Sequence, residues 1–414
     1  MSKRVVVTGL GVVSPIGNDV STFWESLCLG KSGLGYITSF DVSNYPSKVA
    51  GEVKNIDFSN LVDPKELKRT DRFILFALAA SDMAIKDAKI NLENEDLTRI
   101  GTIIGSGIGG LHTLEGEHIK MLSKGPGRVS PFLIPMMITD MAAGRVSISY
   151  GFKGPNYSVV SACASGSHAI GDAFLMLKSG MMDVAIAGGC EAAITPLSFA
   201  GFCSIKALST RNDDPVKASC PFDKKRDGFV MGEGAGIVVL ETLEHALARN
   251  AKIYCELCGY GATGDAYHLT APAPEGEGAQ IAMRMALNSA GISPSDIDYI
   301  NAHGTSTELN DKLETIAVKK VFGEYASKIN ISSTKSMTGH LLGASGGVEF
   351  IATVLTICNN IIHPTINLED PDPECDLNYT PNTAINRIVR YAMSNSFGFG
   401  GHNASLILRK YDAA

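Results

Sequence analysis

The sequence predicts an α/β fold built from two similar halves, and three observations carry that prediction. Short β-branched or apolar runs, among them Arg4–Thr8, Ile100–Ile104, Val184–Ala187 and Ile237–Leu240, alternate with stretches of helical period. Apolar strands set between helices belong to largely parallel sheets covered on both faces. The rhythm then starts again near Ala248–Lys252, dividing the chain into residues 1–250 and 251–414. No linker rich in Pro or Ser lies between them, so the two halves are expected to form one compact body.

In chain order, the first strand runs into Gly9-Leu-Gly11 and is followed by a helix over Val20–Leu29. A long amphipathic helix is expected from Pro64 to Lys86. The strand Ile100–Ile104 leads into Gly105-Ser-Gly-Ile-Gly-Gly110 and a helix near Leu111–Leu122. Tyr157–Ser161 reads as a strand that turns at Ala162-Cys163 into a helix over Ala164–Lys178. In the second half, Cys255–Gly259, Ile297–Ala302, Ile329–Ser333, Tyr391–Ser396 and Ala404–Arg409 read as strands. Helices over Ala279–Ala290, Asp311–Val321 and Leu341–Cys358 separate the earlier ones.

Composition narrows the function classes. With 45% hydrophobic and 19% charged residues, 414 residues supply a sizeable core and no disorder signature. A net charge of −7 argues against a general nucleic-acid binder. The N-terminus enters a strand pattern without a signal-peptide or transit pattern, and no uninterrupted apolar run approaches 18 residues, so no membrane insertion is expected. Nine scattered cysteines suit reduced thiols in the cytoplasm better than a disulfide framework. Cys255-Glu-Leu-Cys258 has the spacing of a metal or redox pair, but it lies in a β-like run with no second pair.

Two motifs need weighing. Gly105-Ser-Gly-Ile-Gly-Gly110 matches G-x-G-x-x-G between a strand and a helix. The dinucleotide fingerprint also needs an acid about 20 residues on, and that region reads Gly125-Pro-Gly-Arg-Val-Ser130. A tight turn close to a buried site is the preferred reading. Cys163 sits at a strand-to-helix corner, which lifts a side chain out of the sheet. A helix N-terminus there favours the thiolate. Free cysteines are also among the most buried residues, so the corner alone divides evenly between nucleophile and inert thiol.

Three further segments place polar residues beside small ones at strand ends: Asn301-Ala-His-Gly-Thr-Ser-Thr307, Ser333-Thr-Lys-Ser-Met-Thr-Gly-His340 and Ser394-Asn-Ser-Phe-Gly-Phe-Gly-Gly401. Ligands of open α/β sheets bind outside the carboxyl ends of strands. His303, Lys335, His340 and Phe399 are therefore the candidates to meet Cys163.

With these segments in view, the chain resembles the β-ketoacyl-[acyl-carrier-protein] synthases of the thiolase-like superfamily, and among them the type II elongating enzymes. The resemblance runs along nearly the whole chain. It rests on Val5-Val-Val-Thr-Gly-Leu-Gly-Val-Val-Ser-Pro-Ile-Gly17, Ala162-Cys-Ala-Ser-Gly166, Leu208-Ser-Thr-Arg-Asn212, Arg226-Asp-Gly-Phe-Val230, Asn301–Thr307, Ser333–Gly343 and Asn395-Ser-Phe-Gly-Phe-Gly-Gly401. It implies a five-layered αβαβα fold, a homodimer, and elongation of an acyl chain with malonyl-carrier protein. It implies no metal and no cofactor beyond the phosphopantetheine thioesters of the substrates.

Residue by residue, the resemblance makes Cys163 the nucleophile and gives the oxyanion hole to the N–H groups of Cys163 and Phe399. His303 and His340 become donors to the malonyl thioester oxygen. Lys335 pairs with Glu314 to organise the site, with Asp311 in support. Ile108 and Phe202 line the acyl pocket, and Phe399 is the gate. Lys65, Lys68, Arg69 and Lys206 receive the acidic carrier protein. Two histidines separate the chain from initiating synthases, which use Asn at the second position, and Cys163 separates it from non-catalytic chain-length factors. Type I elongating synthases and polyketide ketosynthases are the remaining enzymatic alternatives. Glu308, His402 and Lys206 depart from the commoner residues at their positions.

Overall fold

In the computed structural model, which describes residues 3–412, ten strands form one continuous sheet. In chain order they are β1 (Val5–Val13), β2 (Ile100–Gly105), β3 (Asn156–Tyr157), β4 (Val184–Glu191) and β5 (Gly234–Thr242). The second set is β6 (Cys255–Gly264), β7 (Tyr299–Asn301), β8 (Asn330–Ser332), β9 (Tyr391–Gly398) and β10 (His402–Lys410). Their spatial order is 8-7-9-10-6-1-5-4-2-3. Read outward from the centre, the first five strands follow 1-5-4-2-3 and the second five follow 6-10-9-7-8. The same topology therefore occurs twice. The two copies join where β1 and β6 pair antiparallel, with Val5 opposite Leu257 and Val7 opposite Cys255.

The sheet is mixed, not largely parallel. The pairs β2–β3, β2–β4, β7–β8 and β7–β9 are parallel, and the other five neighbouring pairs are antiparallel. Strands covered on both faces are apolar whichever way they run, so hydropathy could not report their direction.

Six helices complete the layers: α1 (Arg72–Ala88), α2 (Met141–Tyr150), α3 (Ser165–Ser179), α4 (Glu277–Ala290), α5 (Glu308–Phe322) and α6 (Ser345–Asn359). Helices α1 and α2 cover the outer face of the first half-sheet, and α4 covers that of the second with α5 beside it. Helices α3 and α6 pack on each other and on both half-sheets, forming the middle layer of an αβαβα stack. Every residue from Ser345 to Ile357 is buried. The stretch Leu342–Asn359 is apolar and long enough to cross a membrane by composition, yet 89% of it is buried inside the protein. A helix that is apolar all round fits such a core position.

The expected helix over 64–86 is broken. A single turn, Pro64–Leu67, is capped by Asp63, and α1 starts afresh at Arg72. Asp71 causes the restart: its carboxylate accepts the N–H of Phe73 at the helix end and that of Thr113 at 3.0 Å. A capping carboxylate offers the backbone a partner outside the helix, so an apolar period that continues through it does not imply a continuous helix. Cys255 is buried within β6, and the Cys258 thiol donates to the carbonyl of Ile407 at 3.4 Å. All nine cysteines are free.

Candidate active site

The two halves bring their strand ends together around a cavity of about 410 Å³. Cys163, His303, His340, Phe397, Phe399 and Phe202 are among its lining residues. Cys163 comes from the first half, and both histidines and the Gly398–Gly401 turn come from the second.

Cys163 lies in the 3-10 turn Ala162–Ala164, just before α3, and not at a regular strand-to-helix junction. The strand that was expected over Tyr157–Ser161 shrinks to Asn156–Tyr157. Ala162 turns the chain with a left-handed φ of +50°. Burial pushes the Cys163 thiol up to about 12; the charge of Lys335 and the N–H of Phe399 pull the other way, and Glu191 and Glu349 add to the rise. Lowering by the helix end was the expectation, and desolvation overrides it because a thiolate in an enclosed site loses its water.

The turn between β9 and β10 presses on the nucleophile turn. A Cβ on Gly398 would lie 2.9 Å from the carbonyl oxygen of Ser161 and 3.1 Å from the nitrogen of Cys163. Only a glycine lets these two backbones approach so closely. The contact holds the Phe399 N–H beside the Cys163 sulfur.

His303 and His340 are both 3% exposed, with ring centroids 5.3 Å apart. Burial first, and then the charge of Lys335, hold both imidazoles well below the ordinary histidine range, so both are neutral. Their tautomers follow from their partners. The N–H of Leu342 donates to Nδ1 of His340 at 3.3 Å, and Ser345 Oγ lies 2.9 Å from the same nitrogen. Lys335 Nζ lies 3.3 Å from Nδ1 of His303. An Nδ1 that accepts leaves the single ring proton on Nε2. Two Nε2–H donors thus belong to one cavity.

Behind them the structure corrects one pairing. Lys335 is bonded to Glu349 and, at 2.6 Å, to the carbonyl oxygen of His303, and not to Glu314. Glu314 instead accepts the N–H groups of His303 and Gly304, each at 2.8 Å. Both carboxyls are pushed up to about 7 by burial; Lys335 opposes the rise at Glu349, and the two N–H groups oppose it at Glu314. The reason is placement: Glu314 rides on α5 under the His303 strand end, whereas Glu349 on α6 faces the Lys335 turn. Asp311 is fully buried and accepts the Phe222 N–H at 2.9 Å, with Arg226 at 3.7 Å.

The pocket and surface residues divide. Phe202 and Lys206 line the cavity, but Ile108 does not. Ile108 packs instead against the apolar cluster of Phe199, Phe229 and Leu342, to which Cys163 and Phe202 also pack. Lys65, Lys68 and Arg69 are exposed and lie off the cavity, with Arg69 over the ring of Phe132 at 4.5 Å. Glu308 joins the cavity wall. Sequence reasoning missed Glu349, Ser345 and Glu191. Glu349 had a visible signal, as the one charge in the apolar stretch Leu341–Cys358, because a buried charge needs a partner. Ser345 had none.

Comparison with known proteins agrees with this geometry. The model "Beta-ketoacyl synthase, N-terminal domain" matches residues 2–246, and "Beta-ketoacyl synthase, C-terminal domain" matches residues 254–369. The chain is 57% identical over 409 residues to a 3-oxoacyl-[acyl-carrier-protein] synthase 2 of Synechocystis sp., covering 99% of this chain and 98% of that one. It is 54% identical over 412 residues to the protein of that name from Staphylococcus aureus, covering 100% and 99%. Among solved structures, a type II polyketide ketosynthase in complex with its acyl-carrier protein superposes with a TM-score of 0.93 at 36% identity, covering 99% of this chain and 100% of that one. A domain pair matched over both halves, and relatives this similar over their full length, place the chain in the beta-ketoacyl synthase family.

Proposed function

We propose that the chain is an elongating 3-oxoacyl-[acyl-carrier-protein] synthase of dissociated fatty acid synthesis. The observation that carries the reading is the meeting of one thiol, Cys163, with two neutral Nε2–H donors, His303 and His340, in a single cavity. Identities of 57% and 54% to proteins named 3-oxoacyl-[acyl-carrier-protein] synthase 2, against 36% to the polyketide ketosynthase, support this reading over the polyketide alternative.

In the first half-reaction the sulfur of Cys163 attacks the thioester carbon of an acyl-carrier protein. The carbonyl oxygen gains negative charge and is met by the N–H groups of Cys163 and Phe399. The carrier sulfur leaves with the thiol proton. In the second, malonyl-carrier protein loses carbon dioxide, and the electron pair of the broken C–C bond moves onto the thioester oxygen as an enolate. His303 and His340 donate their Nε2–H groups to that oxygen. The enolate carbon then attacks the acyl carbon, the bond to Cys163 breaks, and its sulfur takes up a proton. Removal of one such donor typically costs about 10²–10³ in rate, so two donors can carry decarboxylation on protein groups alone. The Lys335–Glu349 pair keeps the His303 tautomer and backbone in place. Asp311 and Glu314 hold the surrounding turns.

The partner is an acyl carrier protein, whose acidic surface would meet Lys206 at the cavity mouth and the basic run Lys65, Lys68 and Arg69. The edge strand β3, with exposed Ile148 and Val160 near it, suits pairing with a second copy. Nine free thiols suit the cytoplasm.

Intact mass spectrometry after incubation with acyl-carrier protein tests the reading: Cys163 gains one acyl group, and Cys163→Ala gains none and makes no 3-oxoacyl product. His340→Ala should keep acylation and lose malonyl decarboxylation by about 10²–10³. An unmodified Cys163 overturns the catalytic reading, and intact decarboxylation in His340→Ala overturns the role given to that residue.

A further inference from the structure

The glycine-rich loop Gly105–Gly110 has the spacing of a phosphate cradle, and its N–H groups do surround an anion. The anion is the protein's own Glu191, the last residue of β4, whose side chain is fully buried. One carboxylate oxygen accepts the N–H of Gly107 at 2.8 Å and that of Gly343 at 3.1 Å. The other accepts Ser106 Oγ at 3.0 Å and the N–H groups of Ile108 and Gly109 at 3.3 Å. Ser106 Oγ itself accepts the Gly109 N–H at 3.1 Å, so its proton goes to Glu191. Consecutive N–H groups curled round an anion form a nest, and here an internal carboxylate fills it. Among the described residues no Lys, Arg or His pairs with Glu191. Five dipoles do that work.

The five donors come from two places that serve the reaction differently. Ile108 packs into the apolar cluster that also receives Cys163 and Phe202. Gly343 follows Leu342, whose N–H fixes the His340 tautomer. The joint is tight: a Cβ on Gly343 would lie 2.8 Å from the Glu191 carboxylate and 2.4 Å from the nitrogen of Gly107. One carboxylate therefore sets the register between the loop carrying Ile108 and the turn that aims His340.

We propose that Glu191 is a positioning residue that governs both which acyl chains reach Cys163 and how His340 presents its donor. The proposal rests on the elongating-synthase reading. Glu191→Gln keeps the volume but replaces one oxygen by an amide NH2. Either orientation then points a donor at donors: Gly107 and Gly343 on one side, Ser106, Ile108 and Gly109 on the other. Glu191→Asp keeps the acceptor charge one methylene back.

The experiment compares the purified wild type, Glu191→Gln and Glu191→Asp on hexanoyl- and myristoyl-loaded acyl-carrier protein, with malonyl-carrier decarboxylation measured separately. In Glu191→Gln the ratio of kcat/KM for the two chains should change about tenfold, and decarboxylation should slow by a similar factor, as expected for a lost charge-assisted hydrogen bond. Glu191→Asp should recover part of both. A merely structural role would lower the two kcat/KM values together and leave their ratio unchanged. A folded Glu191→Gln with the wild-type ratio and decarboxylation rate overturns the proposal. Should Glu191→Gln fail to fold, Ser106→Ala removes one donor while the carboxylate stays, and an unchanged chain-length ratio there overturns it equally. A wild type that elongates neither chain overturns the functional reading and this proposal with it; a wild type that elongates beside an unaltered variant overturns this proposal alone.

Discussion

The thiol of Cys163 is governed by competing charges and by burial. Burial pushes its pKa up to about 12, which favours the protonated form at neutral pH. Lys335 and the N–H of Phe399 favour the thiolate, while desolvation, Glu191 and Glu349 oppose it. Because the thiolate is the reactive form, a raised pKa suppresses reactivity on the low-pH side, and each added pH unit below the pKa multiplies the ionised fraction about tenfold. Iodoacetamide labelling of Cys163, read by mass spectrometry from pH 7 to pH 10, should therefore rise steadily without levelling. A plateau below pH 9 would show that the helix end and Lys335 outweigh burial after all. Reactivity at neutral pH is thus expected to come from stabilising the oxyanion as the sulfur attacks, and less from a standing thiolate.

At the scale of elements, the turn between β9 and β10 is the part whose geometry is least forgiving. Its Gly398 lies against the Ser161 carbonyl and the Cys163 nitrogen, so the position of the Phe399 N–H depends on the absence of one carbon atom. Gly398→Ala should push the turn away and slow acylation of Cys163 by about 10²-fold, in the range of a lost oxyanion donor. Malonyl decarboxylation, which uses His303 and His340, should fall much less. Stopped-time mass spectrometry of the acylated enzyme checks the first and carbon dioxide release the second; an equal loss in both would mean that the whole site had shifted. The basic run illustrates a different element-scale effect. Lys65 sits in the turn Pro64–Leu67, while Lys68 and Arg69 follow it, so the three share a capped turn and its exit and not the face of one long helix.

At the scale of the whole molecule, the duplicated topology explains why the site exists where it does. Each half ends several of its strands at the same edge, and folding the halves across α3 and α6 brings those edges together. Among the described residues strand β3 has a neighbour on one side only. An open edge of this kind, flanked by Ile148 at 70% exposure and Val160 at 56%, is a template for a second chain. Pairing of two copies through this edge predicts a dimer for the wild type and a monomer for the double substitution Ile148→Lys and Val160→Lys in sedimentation velocity. The same mass for both would overturn pairing through this edge.

Alternating hydropathy, the restart near residue 250 and the small-residue segments around Cys163, His303, His340 and Phe399 were legible in the sequence. They are local features: periodicity and turn composition act over a few residues. Tertiary structure alone decided the strand directions, because doubly covered strands look alike either way round. It alone decided that Lys335 pairs with Glu349 and leaves Glu314 to the His303–Gly304 backbone, since both acids lie on helices and only packing orients them. It raised the Cys163 pKa, because desolvation depends on what encloses the sulfur. And it filled the glycine-rich loop with Glu191, which lies about 80 residues away in sequence and next to it only in the folded sheet.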